Sequence, residues 1–207
     1  MQKHERTLRI RRLILAAIFM ALGLAGGLAF FAVPGLELMT ATVFLAGFML
    51  GAARGFIVGG IAEFLYTFFN PLGPAIPPLM LAQIAGMAVS GFAGGCLARL
   101  FPDRLPPLPA FAVLGILLTL LFDFATTLAF GLSINQTWEG FFAAVTFGAP
   151  VYLTHLATNG LIFSLLVPIL ARHLLTLAVF QSFARPPASL AARKSKPANF
   201  TNSQVQL

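Results

Sequence analysis

The sequence predicts an all-α integral membrane protein, a bundle of six transmembrane helices with the N- and C-termini on the cytoplasmic side. Three observations predict it. Hydrophobic residues make up 58% of the 207 and charged residues 9%, with a mean hydropathy of +0.91, whereas soluble domains run nearer half apolar and a quarter charged. Apolar stretches near the length of a bilayer span recur along the chain, bounded by proline, glycine or arginine. Finally, all 13 Lys and Arg residues fall on one side once six helices are drawn, the charge asymmetry of cytoplasmic loops.

The elements follow in order. Lys3, Arg6, Arg9, Arg11 and Arg12 make residues 1–12 a basic cytoplasmic N-terminus ahead of a six-helix domain over 13–175. Residues 13–33 are uncharged, and Pro34-Gly35 ends the first span. The stretch 38–70 is long for one span and short for two, with Arg54 near its middle. As a single helix it would bury Arg54 in the bilayer at a cost of about 3 kcal/mol or more, and would reverse the side of everything downstream. A pair of short helices turning at 51–55 keeps the charge at the interface. Residues 79–98 form the next span, between Pro77-Pro78 and Phe101-Pro102. Span 110–131 is interrupted only by Asp123, and span 151–171 contains His155, Asn159 and Pro168. The outward connections are 34–38, 70–78 and 132–150, the last with a short interfacial helix over 138–147. The basic, Pro- and Ser-rich residues 176–207 read as a disordered cytoplasmic tail, where Asn199-Phe200-Thr201 is a chance sequon match.

Composition also excludes. A net charge of +7 and a pI near 10.8 would point to nucleic acid in a soluble chain, but here the charges sit where topology signals sit. The single Cys96 excludes an intramolecular disulfide framework and most cysteine metal sites. No metal or cofactor is expected. The first apolar stretch continues into further spans without a clear cleavage site, so it does not read as a signal peptide.

Ala17, Ala21, Ala25 and Ala29 recur every four residues, which stacks them into one small-residue ridge. The ridge serves either packing inside the bundle or docking of another membrane subunit. Gly47, Gly51, Gly55 and Gly59, with Gly91 and Gly95, indicate close backbone packing.

The side opposite the basic residues collects acids, amides and aromatics. Candidate ligand contacts there are Glu37, Glu63, Tyr66, Asn70, Gln83, Asp123, Trp138, Tyr152, His155 and Asn159. Ionisable groups inside a span are costly and face a cavity or a partner. Each candidate has a structural alternative, with Asp123 as a partner of His155, Asn159 and Gln83 as links between helices, and Trp138 and Tyr152 as members of an interfacial belt. Their convergence on one leaflet, without a Lys or Arg, points to an outward pocket for a neutral or cationic organic molecule, with aromatic faces to stack on it.

The size, the six spans with both ends inside, and Ala17-Ile18-Phe19-Met20-Ala21 in the first helix resemble the substrate-binding S component of an energy-coupling factor (ECF) vitamin transporter. Val33-Pro34-Gly35-Leu36-Glu37 and Asn70-Pro71-Leu72-Gly73 look like loop patterns of some S components. The resemblance covers about residues 8–175. It implies a multi-pass protein of a bacterial or archaeal cytoplasmic membrane that captures a thiamine-like or cobalamin-like micronutrient and has no catalytic chemistry. It further implies docking through Ala17, Ala21 and Ala25 on a coupling transmembrane subunit that works with two ATPase subunits. The chain itself has no GxxxxGK[ST] motif. Two rivals remain. One is a stand-alone proton- or cation-coupled carrier using Glu63, Asp123 and His155. The other is an intramembrane hydrolase pairing Ser90 or Ser133 with His155, though neither serine has a nucleophile-elbow context.

Overall fold

A computed structural model describes residues 2–135 and 137–181, and among these the chain is helical, with no strand. The helices are α1 (Gln2–Ala29), α2 (Met39–Leu50), α3 (Ala52–Phe68), α4 (Pro77–Leu100), α5 (Leu108–Asn135) and α6 (Trp138–Leu161). A π-helical turn (Ile162–Leu166) joins α6 to α7 (Val167–Thr176), and α8 (Ala178–Gln181) follows. Glu5–Ala29, Pro77–Leu100, Leu108–Ser133 and the continuous Trp138–Thr176 are each long and apolar enough to cross a membrane. The chain is an all-α, multi-pass membrane protein. Large apolar side chains such as Leu13, Leu81 and Leu153 point outward, as lipid-facing surfaces require.

The stretch 38–70 is two helices, not one. Glu37 Oε2 accepts the Thr40 N–H at 2.8 Å, satisfying a donor that the first turn of α2 leaves free. The helix ends at Gly51, whose φ of 96° suits glycine, and α3 begins at the next residue. Contacts with α4 fix the directions. Thr40 and Met87 meet at one end of α2, and Gly47 lies against Gly91 and Gly95 further on, so α2 runs parallel to α4. Gly59 lies against Met87 and Ala52 against Gly95, so α3 runs antiparallel. The chain therefore reverses at Gly51. Arg54 is exposed beside that reversal and donates to the Leu50 carbonyl at 3.1 Å. With 12 residues, α2 is about 18 Å long, short of the roughly 30 Å hydrocarbon core. Most of α2 is buried among its neighbours instead of meeting lipid.

The glycines are what allow α2, α3 and α4 to pack this closely. A Cβ on Gly47 or Gly55 would overlap the Gly91 carbonyl, one on Gly59 the Met87 carbonyl, and one on Gly94 the Phe44 carbonyl. Helices in lipid gain little from hydrophobic drive, so this backbone-to-backbone packing is a main cohesive term. Phe44, Phe111 and Phe163, all fully buried, form an edge-to-face cluster, with Phe44–Phe163 centroids 5.1 Å apart. Gly115 leaves the space that the Phe163 ring occupies.

One of the two readings of the alanine ridge falls away, and two expectations change. The alanine ridge does not pack inside: Ala17, Ala21, Ala25 and Ala29 are all exposed, and α1 turns Ala16, Phe19, Gly23 and Gly27 inward instead. Segment 132–150 is not a long connection. Helix α5 continues to Asn135, and α6 starts at Trp138 and passes through Pro150 without a break. The start is set by Thr137, whose Oγ1 accepts the Gly140 N–H at 3.2 Å. A tail was expected from residue 176, yet Ala178–Gln181 is helical and buried Phe180 packs 6.3 Å from the Phe19 ring. The remainder of that tail, 182–207, lies outside the described residues.

Candidate functional site

A cavity of about 310 Å³ opens at the end of the bundle opposite Arg54, Arg99, Arg104 and Arg172. It is lined from six helices and the α1–α2 connection. Gly27 comes from α1, Met39 from α2, Glu63 and Tyr66 from α3, Gln83 and Met87 from α4, Phe122, Asp123 and Thr126 from α5, and Val151, Tyr152 and His155 from α6. Phe30, Phe31 and residues 33–37 of the connection complete the wall. Three of the chain's acids line it, beside one histidine and no Lys or Arg.

Helical spacing explains the arrangement. Tyr152, His155 and Asn159 stand at i, i+3 and i+7 of α6 and so share a face. His155 Nδ1 lies 2.7 Å from Asp123 Oδ1 on α5, and its Nε2 lies 3.6 Å from Glu37 Oε1. Nε2 is buried and, at that distance from Glu37, makes no hydrogen bond. Asn159, fully buried beneath, donates to Glu37 Oε1 at 3.2 Å and to Thr119 Oγ1 at 3.1 Å. On the opposite wall Glu63 is only 1% exposed. Thr67 Oγ1 lies 3.3 Å from Glu63 Oε1 and 3.2 Å from Gln83 Oε1, one hydroxyl proton facing two acceptors. Tyr152 accepts from Thr127 at 2.6 Å.

The connection between α1 and α2 is held down on α6. Thr158 Oγ1 donates to the Gly35 carbonyl at 2.6 Å. Gly35 has φ 77°, and a Cβ there would lie 2.7 Å from both His155 N and the Val151 carbonyl oxygen, so only glycine fits. Glu37 thus faces the cavity while capping α2. Burial alone would raise its carboxyl. The His155 imidazole 3.6 Å away and the hydrogen bond from the Thr40 N–H more than offset this and hold it below the usual carboxylate range. A depressed folded pKa contributes stability that is complete above the unfolded value and is lost as pH falls through the folded one. The wild-type melting temperature in detergent will therefore fall as pH drops below about 4.3. Glu37→Gln will flatten that part of the profile; an unchanged acid slope in the variant would contradict the assignment.

Of the ten candidates, Glu37, Glu63, Tyr66, Gln83, Asp123, Tyr152 and His155 line the cavity. Three do not. Asn70 Oδ1 accepts the Leu72 N–H at 2.9 Å and closes a turn. Trp138 is 64% exposed and packs edge-on to Phe141. Asn159 lies behind the wall and reaches the cavity only through Glu37. The wall also uses Phe30, Phe31, Met39, Met87 and Phe122, which sequence reading passes over because apolar residues in a span carry no contrast. Thr67 had a signal, standing four residues after Glu63 on the same helical face. Ser90 and Ser133 each donate to a carbonyl of their own helix, Gly86 and Ala129. No group of three or more His, Cys, Asp or Glu residues suited to a metal ion occurs among the described residues.

The chain matches no family model, and no curated protein or solved structure is significantly similar to it.

Proposed function

We propose that this protein is the membrane-embedded substrate-binding component of an ECF-type importer, capturing a vitamin-like small molecule from the outside of a bacterial or archaeal cytoplasmic membrane. In this reading six helices cross the bilayer, α2 and α3 as a short pair, and both termini are cytoplasmic. The observation that carries it is the cavity of about 310 Å³ with three carboxylates, tyrosines and phenylalanines and no basic side chain. It lies at the end away from Arg54, Arg99, Arg104 and Arg172, which on the positive-inside rule is the outer end. The volume falls at the low end of small-molecule sites. That size favours a one- or two-ring, neutral or cationic heterocycle of the thiamine kind over a corrinoid several times larger. Negative walls and aromatic faces suit a delocalised cation.

The exposed ridge of Ala17, Ala21 and Ala25 supports docking on a coupling transmembrane subunit with two ATPases. Small exposed residues let a foreign helix come close. Ala21→Trp will reduce co-purification of the coupling subunit and ATPases more than tenfold while leaving ligand binding unchanged, because the residue faces away from the cavity. Unchanged co-purification would sink the docking role.

Native mass spectrometry of the gently purified protein tests the whole reading, with a retained heterocycle of vitamin size as the expected result. No retained ligand and no thermal shift across a vitamin panel would overturn it. The contact of Asp123 with His155, and of His155 with Glu37, favours one rival, a proton- or cation-coupled carrier. Gradient-driven thiamine accumulation by this protein alone in liposomes would establish that rival instead.

A further inference from the structure

A second cavity, of about 580 Å³, lies at the basic end of the bundle and is lined by Leu108, Ser164, Leu165, Pro168, Ile169, Arg172, His173 and Thr176. Its walls come from the start of α5, the π turn and α7. Leu108, Leu165 and Ile169 are 60%, 61% and 65% exposed, so a continuous apolar surface faces outward along the groove. At one end stand Arg172 and His173, both exposed. The hydroxyls are already engaged: Ser164 donates to the Gly160 carbonyl and Thr176 to that of His173. The groove therefore offers an apolar trough ending in a cation.

Among the described residues that cation has no counter-ion. The carboxylate pairs found there are those of His155 with Glu37 and Asp123, at the other end of the bundle. The chain has six acids: Glu37, Glu63 and Asp123 line the other cavity, and Glu139 begins α6. Glu5 and Asp103 are the remainder, and neither lines this groove. Residues 182–207 bring Arg185, Arg193, Lys194 and Lys196 but no acid, so the chain's own tail would add like charge. An exposed apolar trough in a membrane protein is met by acyl chains. What distinguishes this one is the unpaired positive charge at its end. We infer that the groove is a binding site for an anionic phospholipid, with an acyl chain along Leu108, Leu165 and Ile169 and the phosphate on Arg172 and His173. A basic side chain near an anionic lipid surface gains about 1 kcal/mol, which corresponds to roughly fivefold in affinity. The site does not depend on the importer reading.

The test uses delipidated full-length protein in detergent, mixed with phosphatidylglycerol or phosphatidylcholine of identical acyl chains and read by native mass spectrometry and melting temperature. Phosphatidylglycerol will be retained on the order of fivefold better. Arg172→Gln will abolish the preference, and Arg104→Gln, at the same end but outside the groove, will keep it. Leu165→Trp, which fills the trough from an exposed position, will reduce retention of both lipids. Equal retention of the two lipids by the wild type overturns the inference, whatever the variants do. So does a preference that survives Arg172→Gln. Inorganic phosphate giving the same melting shift as phosphatidylglycerol would overturn it too, since the site would then bind an anion without a lipid.

Discussion

Gly91→Leu will yield no monodisperse protein on size-exclusion chromatography, and Gly91→Ala will survive only with a sharply lowered melting temperature. The obstacle is backbone on both sides. A Cβ on Gly91 overlaps the Gly55 carbonyl, while the Gly91 carbonyl fills the places where a Cβ on Gly47 or Gly55 would go. Overpacking costs about 1–3 kcal/mol where side chains can yield. Three main chains held by their own hydrogen bonds cannot yield without separating α2, α3 and α4. Net stabilities of about 5–15 kcal/mol leave little room for that. Gly60 is the control, since its added Cβ meets Ala88 Cβ at 3.7 Å and Ile84 Cγ2 at 3.8 Å, an ordinary contact. Gly60→Ala will therefore melt near the wild type. A Gly91→Leu protein melting within a few degrees of wild type would refute the packing argument.

Asp123→Leu will destabilise the protein by about 3 kcal/mol, and adding His155→Leu will return most of that loss. Removing one partner of a buried pair leaves the other uncompensated, which costs about 3–5 kcal/mol. The lower figure applies here because Glu37 Oε1 still stands 3.6 Å from His155 Nε2. Replacing both partners removes the uncompensated group along with the interaction, so the double variant approaches neutrality. Thermal melts of the two single variants and the double variant give the coupling directly. Additive losses would mean that the 2.7 Å contact carries no energetic coupling. Under the proposed function all three variants lose cation binding, so the double variant would be a stable protein with an empty site. That outcome separates ligand recognition from fold maintenance.

Much of this was legible in the sequence. Arg54 near the middle of 38–70 required a reversal because charge in the bilayer is expensive, and the chain reverses at Gly51, three residues before it. The acids and His155 were legible as cavity residues because polar groups contrast with an apolar span. The exposed direction of the alanine ridge was not legible, since four-residue spacing defines a face without saying what it meets. Nor was the continuation of the 138–147 helix through Pro150 into the last span. Pro150 reads as a boundary between an interfacial helix and the last span, but the helix passes through the proline, and Thr137 supplies its start. The role of Glu37 as both cap and cavity wall depends on the α1–α2 connection folding back onto α6. Only tertiary contact through Gly35 and Thr158 determines that.

Gly47, Gly55, Gly59, Gly91, Gly94 and Gly95 each sit where an added Cβ would overlap neighbouring backbone. Every missense change in a glycine codon adds at least that carbon. Mutation therefore has no gentle first step at these six sites, and a lineage carrying this fold can drift at its lipid-facing leucines long before it drifts here. Diverged copies of the gene should stay recognisable by a spacing of glycines after most other letters have changed.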